Sequence, residues 1–327
     1  ALKIDDEYVE QYGKYKAKVD IGYAYGKVSL KDIFVERQFS SHALLRVGNF
    51  VHQFGLQSST SSSMKVTMEE PASNEAFFNS RLMGAMFVYD KDDFFGTASV
   101  HVESEALKKK SNELGKMGYG AMSRLVYRPL HDTGRLFQLG ISGAYETPRY
   151  NSEPTLNHTS FDLGANFPTR IAKVRAVNAL IPDAKNLIKF TPEMIAGYGP
   201  VALEAQYYYL QVNRKKDFKN YKASGMYGIL RGLLIGGNYR YSHTDCGIAT
   251  PDSGSLECVF GYNYTDMSDT RSHIYGGRLN DVSFTVNYYI NKYMIWRFRY
   301  SYTKITDRVG FENQSLSAFQ TRFQVIF

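Results

Sequence analysis

The sequence predicts an all-β fold: one antiparallel β-barrel of about fourteen strands that crosses a membrane. Three observations predict it. Apolar and polar residues alternate with period two over many segments of about 10 to 15 residues, the length of a tilted spanning strand. No apolar run approaches the roughly 18 residues a transmembrane helix requires, and mean hydropathy is negative. Barrel strands alternate lipid-facing and lumen-facing side chains, so a low average does not exclude a membrane. Tyr is abundant, with 26 residues in 327, and recurs near strand ends at Tyr25, Tyr89, Tyr145, Tyr198 and Tyr302, as interfacial girdles do.

The alternation places strands near 16–26, 27–38, 42–53, 80–90, 93–104, 114–128, 134–146, 186–199, 200–213, 221–235, 256–264, 280–291, 293–305 and 315–327. In the first, Val19, Ile21, Tyr23 and Tyr25 face away from Lys16, Lys18, Asp20 and Gly22. Leu45 and Val47 then flank Arg46. Tyr119, Ala121, Ser123, Leu125 and Tyr127 oppose Gly120, Met122, Arg124 and Arg128. Phe137, Leu139, Ile141 and Tyr145 oppose Gln138, Ser142 and Glu146. Val201, Leu203, Ala205, Tyr207 and Tyr209 oppose Glu204, Gln206 and Tyr208. Val282, Phe284, Val286, Tyr288 and Ile290 alternate with Ser283, Thr285, Asn287 and Tyr289. Met294, Trp296, Phe298, Tyr300 and Tyr302 set five large apolar side chains against Ile295, Arg297, Arg299, Ser301 and Thr303. The last strand closes on Phe319, Thr321, Phe323, Val325 and Phe327, against Gln320, Arg322 and Gln324. A strand ending in a terminal Phe looks like the assembly signal of bacterial outer-membrane barrels. No segment holds a helical period for more than two turns; the basic stretch 168–179 reads as loop.

Connections alternate short and long. Short ones are Ser40-Ser41, Lys91-Asp92, Arg128–Gly134, Gly199-Pro200 and Asn291-Lys292. Long ones are 54–79, 105–113, 147–185, 213–220, 265–279 and 306–314. Short periplasmic turns with long outer loops are the barrel layout. Residues 236–255 break the rule, being long on the short-turn side. Residues 1–327 read as a single domain, since barrels of this length form one.

Disorder is excluded by a chain 43% hydrophobic and 15% aromatic. The net charge of +7 fits an anionic solute or surface. The basic residues are dispersed, with no block beyond Lys108–Lys110 or Arg214–Lys216, so no nucleic-acid tract is expected. A start at Ala1 without Met is expected of a processed, exported chain. Cys246 and Cys258 bracket a loop, and in an oxidising compartment a disulfide is the natural reading, with two free thiols as the alternative. The seven His show no metal-ligand spacing. No Ser-His-Asp logic, phosphate-cradling glycine loop or paired-carboxylate motif emerges beyond Glu69-Glu70, so neither metal, cofactor nor catalysis is expected.

Several stretches, in order, resemble a known family: Arg46-Val-Gly-Asn-Phe-Val-His-Gln-Phe-Gly-Leu56 followed by Thr60-Ser61-Ser62 and Met68-Glu69; Tyr127-Arg-Pro-Leu-His-Asp-Thr-Gly134; Tyr198-Gly-Pro200 leading to Glu204; and Gly276-Gly-Arg-Leu-Asn-Asp-Val282 leading to Asn287-Tyr288-Tyr289. They are similar to the phosphate-selective porin O/P family. The resemblance implies a bacterial outer-membrane barrel, trimeric, passing small anions, with the loop after Phe-Gly-Leu folded inward as a constriction. Here that loop is 54–79, with Thr60, Ser61, Ser62, Ser63, Lys65, Glu69 and Glu70. Family members have sixteen strands and begin with a further hairpin, so either this barrel is smaller or residues 1–15 supply an atypical strand, with sixteen as the alternative count. The family places an arginine after the Met-Glu pair, where this chain has Glu70. A carboxylate repels phosphate where a guanidinium would bind it, so phosphate selectivity is not expected to carry over unchanged.

The alternation makes Lys16, Lys18, Arg46, Arg124, Arg297, Arg299 and Arg322 the pore-lining basic candidates. Such residues would favour anions, or pair with lumenal carboxylates such as Asp20 and Glu204. The expected function is passive diffusion of small hydrophilic solutes with an anion bias. The alternative is a non-conducting barrel serving as a structural subunit of a larger outer-membrane complex. Expected partners are outer-membrane lipid, small solutes, and either two further copies of the chain or other proteins of such a complex.

Overall fold

A computed structural model describes residues 2–10, 13–24, 27–58, 60, 64–78, 80–103, 117–169 and 174–325. Side chains are described from Lys14 onward, apart from 23–30. The strands in chain order are β1 (Leu2–Glu10), β2 (Gly13–Ala24), β3 (Lys27–Ser40), β4 (Ala43–Val51), β5 (Arg81–Lys91), β6 (Phe94–Val102), β7 (Tyr119–Asp132), β8 (Arg135–Glu146), β9 (Phe161–Asn166), β10 (Arg175–Ile181), β11 (Ala184–Tyr198), β12 (Val201–Arg214), β13 (Tyr221–Ile235), β14 (Tyr241–Ser242), β15 (Gly247–Ile248), β16 (Leu256–Asp269), β17 (Ile274–Asn291), β18 (Met294–Arg308) and β19 (Gln314–Val325). One helix, α1 (Ala72–Phe77), follows a 3-10 turn at Leu56–Ser58.

Fifteen of these strands form one sheet, β1 through β8, then β11, β12, β13, β16, β17, β18 and β19, each antiparallel to the next. The count of fourteen is therefore corrected to fifteen among the described residues. All fourteen expected strands are present, and β1 precedes them. β1 and β19 are the two edges of the sheet as described. The terminal Phe327 lies outside the described residues.

Two expected long loops change character. β16 and β17 run further than the alternation suggested and pair out to Asp269↔Ile274, so 265–279 is mostly strand. The segment 147–185 contains the β9–β10 hairpin, with Phe161↔Ile181 and Leu163↔Ala179 in register. The stretch 168–179, read as loop, thus contributes most of β10. Its Ala176 and Val177 are consecutive and both buried, so they carry no alternation.

The burial pattern inverts that of a soluble sheet. One face is apolar and open: Val100 is 62% exposed, Leu125 60%, Phe260 58% and Val282 55%. The other face is polar and buried, holding Arg124, Gln138, Thr191, Glu257 and Arg297 without measurable exposure. Exposing this much apolar surface to water would be strongly unfavourable at about 25 cal/mol per Å², whereas lipid accepts it. Aromatic residues stand toward the strand ends of the open face, as in the Phe94–Tyr127 pair (ring centroids 5.2 Å apart) and Tyr198 beside the Gly199-Pro200 turn. One glycine shows how tightly the wall is drawn. Gly48 has φ of +145°, and a Cβ there would sit 2.2 Å from the Ile33 carbonyl oxygen on β3, so no side chain fits without opening the β3–β4 pairing.

Candidate functional site: the filled inner face

The polar face is buried because three segments of the chain lie against it. Between β4 and β5 the chain leaves the wall and crosses the interior. Its course is fixed by side chains from strands far away in sequence. The Gly55 amide donates to Ser142 Oγ (3.0 Å) and the Leu56 amide to Gln206 Oε1 (3.2 Å). Gln57 Nε2 donates to Glu204 Oε1 at 2.8 Å. Asn287 Nδ2 reaches the Val66 carbonyl (2.9 Å) and Arg297 Nη1 the Lys65 carbonyl (2.9 Å). Further on, Ser73 donates from both amide and hydroxyl to Asn263 Oδ1, Tyr208 Oη donates to Asn74 Oδ1 (2.7 Å), and Lys189 Nζ donates to the Phe77 carbonyl (2.7 Å). Phe54, Ala72, Ala76 and Phe77 bury their apolar faces against Tyr208, Leu210 and Tyr227.

The β9–β10 hairpin packs beside α1 and over β17. The Asn166 amide and Nδ2 both donate to Glu75, at 3.0 and 2.6 Å. Burial nevertheless pushes the Glu75 carboxyl above its usual range.

The third segment, 236–255, comes from the opposite end. It enters through Tyr239, whose hydroxyl donates to Glu257 (2.8 Å), and turns at the small β14–β15 hairpin. Tyr241 Oη donates to Gln138 Oε1 at 2.6 Å. Leu56 and Ile248 join Leu136, Ile195, Tyr239 and Tyr241 in one apolar cluster, so the first and third segments meet inside the sheet.

This placement overturns the expected disulfide. Cys246 and Cys258 are both free thiols. Cys246 is buried on the inner side, with Sγ 3.2 Å from Tyr241 Oη. Cys258 lies on β16 between Glu257 and Val259, which are both buried inward, so it points to the outer face with Phe260. The sheet stands between them. Burial pushes the Cys246 thiol up, which keeps it protonated and unreactive. Alkylation of native protein should leave Cys246 unmodified until the chain is unfolded, and peptide mass spectrometry should find no Cys246–Cys258 link; a linked peptide would contradict the inward course of 236–255.

All seven basic candidates lie on the inner face. Lys16 stands opposite Glu36 and is exposed. Lys18 pairs with Asp32 at 3.2 Å, and Asp32 also takes Arg81 at 2.7 Å. Arg46 binds Glu36 through Nε and Nη2 (2.9 and 2.7 Å) and lies 4.3 Å over the Phe34 ring. Arg124 makes a two-pronged pair with Glu193 (3.1 and 2.6 Å), both without exposure, and a third bond to Gln53 Oε1 (2.8 Å). Gly140 opposes Glu193 in register, and a Cβ there would come 2.7 Å from Glu193 Cγ, so the glycine leaves the room that carboxylate occupies. Arg299 binds Asp281 (3.1 Å) and the Pro168 carbonyl (3.2 Å). Arg322 binds Glu69 (2.9 Å) and the Met68 carbonyl (3.0 Å).

Of the crossing loop's expected residues, Lys65 is buried and donates to the Gln57 carbonyl and Gln57 Oε1, with Glu70 at 4.0 Å. Glu70 in turn accepts from Asn74 Nδ2. Thr60 lines a cavity of about 140 Å³ together with Lys65, Arg231 and Arg297. Ser61, Ser62 and Ser63 lie outside the described residues.

Sequence reasoning missed part of the inner charge. Lys189 pairs with Glu146 (2.9 Å) and Arg231 with Glu257 (2.8 Å); Glu257 also accepts from Asn287 (3.0 Å) and Tyr289 (2.8 Å). The signal was available, because Ile188 and Phe190 flank Lys189, and Leu230 and Gly232 flank Arg231, with the same period-two alternation. Such an arrangement can solvate and steer small polar solutes, with no nucleophile–base pair needed. Among the described residues, no group of His, Cys, Asp and Glu could hold a metal ion.

The family model of phosphate-selective porin O and P matches residues 8–327. No curated protein matches the chain. Among solved structures, the chain is similar to the outer-membrane expressed OmpT of Vibrio cholerae (TM-score 0.60, 10% identity, covering 98% of this chain and 86% of that one). It is also similar to a trimer form of that protein (0.55, 11%, 98% and 87%). A third likeness is to an anion-selective porin from Comamonas acidovorans (0.54, 10%, 96% and 84%). At these identities the likeness shows the fold.

Proposed function

From the chain's membership of the phosphate-selective porin O and P family, to which it belongs over nearly its whole length, we propose a narrow diffusion channel for small hydrophilic solutes. Its place is the bacterial outer membrane. On this reading the fifteen-stranded sheet closes into a barrel, its open apolar face meets lipid, and three copies associate as a trimer. The observation that carries the reading is the inversion of the faces: apolar out, and a polar inner wall rich in Arg and Lys. The crossing loop 54–79 is the constriction.

The selectivity we assign is a weak anion bias. Lys16 is exposed on the inner side, whereas Arg124, Arg297 and Arg322 are spent on internal bonds. Phosphate gains no special site at the loop, where Glu69 and Glu70 stand. A planar bilayer under a KCl gradient should give a reversal potential modestly on the chloride side, with no block on adding phosphate. A cation-biased potential would overturn the anion part of the proposal, and phosphate block would overturn the assignment of the loop carboxylates.

One observation favours a second reading. Arg297, Arg299 and Arg322 end on carbonyls of the inserted segments, and the three segments together lie over the sheet's polar face. A barrel so filled suits a non-conducting structural subunit of a larger outer-membrane complex.

A further inference from the structure

At the long-connection end of the sheet, a cavity of about 130 Å³ lies between α1, the loop 147–160 and the starts of β9 and β11. By the measure in which one water takes about 10–15 Å³, it has room for about ten water-sized positions, the bulk of a single ring with a small substituent. One wall is apolar: Phe77, Phe78, Phe161, Leu163, Leu187 and Leu210. Facing it, Lys189 and Arg149 both bind one carboxylate, Glu146, at 2.9 and 2.7 Å. Lys189 and Glu146 are almost fully buried, with side-chain exposures of 3% and 4%. Two cations on one anion leave a net positive charge. The other acid on the wall, Asp162, is matched by Arg175 at 2.5 Å and does not cancel it.

We infer that this cavity binds a small monocarboxylate with an apolar ring or branched body. The carboxylate accepts from Arg149 and Lys189, and the body packs on the phenylalanines. An apolar cleft with a few converging polar groups is the usual form of a small-molecule site, and an Arg donor fork matches a carboxylate. Inorganic phosphate fits poorly. It carries more charge than the site offers to balance and has no apolar part, so the phenylalanine wall would strip its water without return. As a station on a solute path the site rests on the channel reading; as a binding site it does not.

Isothermal titration of the full chain in lipid nanodiscs, with empty nanodiscs as the blank, reads binding alone. Benzoate should bind at least about tenfold more tightly than acetate or inorganic phosphate, the margin expected of burying one ring. Arg149→Gln should weaken benzoate about tenfold, and Phe78→Ala should weaken benzoate while leaving acetate unchanged. Both positions can change without removing the Lys189–Glu146 pair, and heat-modifiable gel mobility checks that each variant folds. Equal affinity for the three anions, or benzoate binding unaffected by both substitutions, would overturn the site. Benzoate binding by a chain that shows no conductance would uphold the site and overturn the channel.

Discussion

Excising residues 57–78 and bridging the gap with a short Gly/Ser linker should raise single-channel conductance severalfold over the intact chain. The excised stretch contributes α1 and the buried Met68, Ala72, Ala76 and Phe77. It also carries the carbonyls that receive Arg297, Arg322 and Lys189. Those side chains would lose partners. They would not become buried unpaired charges, because water would enter where the loop had been and solvate them. The wall itself is held by the backbone ladders from β4 to β19, none of which includes loop residues. The variant should therefore fold, with heat-modifiable mobility intact, while current through it grows. Unchanged conductance would mean that the β9–β10 hairpin or the 236–255 segment, not this loop, sets the narrowest point.

Glu193→Ala should be the most damaging single substitution on the inner wall. Arg124 and Glu193 face each other with no exposure on either side chain, and Gln138 Nε2 adds a bond to Glu193 at 2.9 Å. Removing the carboxylate takes the counter-charge from a guanidinium that has no measurable exposure. Breaking one half of a buried pair costs about 3–5 kcal/mol, although replacing both halves with apolar groups is often neutral. Denaturant unfolding in detergent should show that loss for Glu193→Ala, and the double variant Arg124→Met with Glu193→Leu should recover most of it. A single variant within about 1 kcal/mol of the parent, the range of a solvated pair, would mean that water already reaches this part of the wall. The stability measurement thus reads the solvation of this one pair, whereas conduction depends on the space between the inserted segments.

Much of the fold could be read from residue order because a spanning strand writes its two environments in alternate letters. Trp296, Phe298 and Tyr300 against Ile295, Arg297 and Arg299 is the plainest case, and the structure buries the second set and exposes most of the first. β1 could be read only as an atypical strand within 1–15 and not from the alternation, because Asp5-Asp6-Glu7 interrupts the apolar register that Leu2, Ile4 and Tyr8 would otherwise keep. β9 and β10 were missed for a different reason. They lie against the polar face of the large sheet rather than in it, so neighbours such as Ala176 and Val177 are buried together and no alternation is required. The inward course of 236–255 had only one trace in the sequence, its excess length on the short-turn side. The paired Cys suggested an external loop closed by a disulfide, but spacing along the chain carries no information about which side of the sheet each sulfur occupies. The inner-face basic residues were legible one by one as to side, while their partners, such as the Lys65 and Met68 carbonyls, were not, because those contacts span more than 230 residues.

The central claim, that the chain is a narrow diffusion channel, is tested most directly by single-channel recording of the purified intact chain in a planar bilayer. The account predicts discrete, small conductance steps that carry chloride somewhat better than potassium. A silent bilayer from protein whose heat-modifiable mobility shows it fully folded would contradict it and favour the structural-subunit reading.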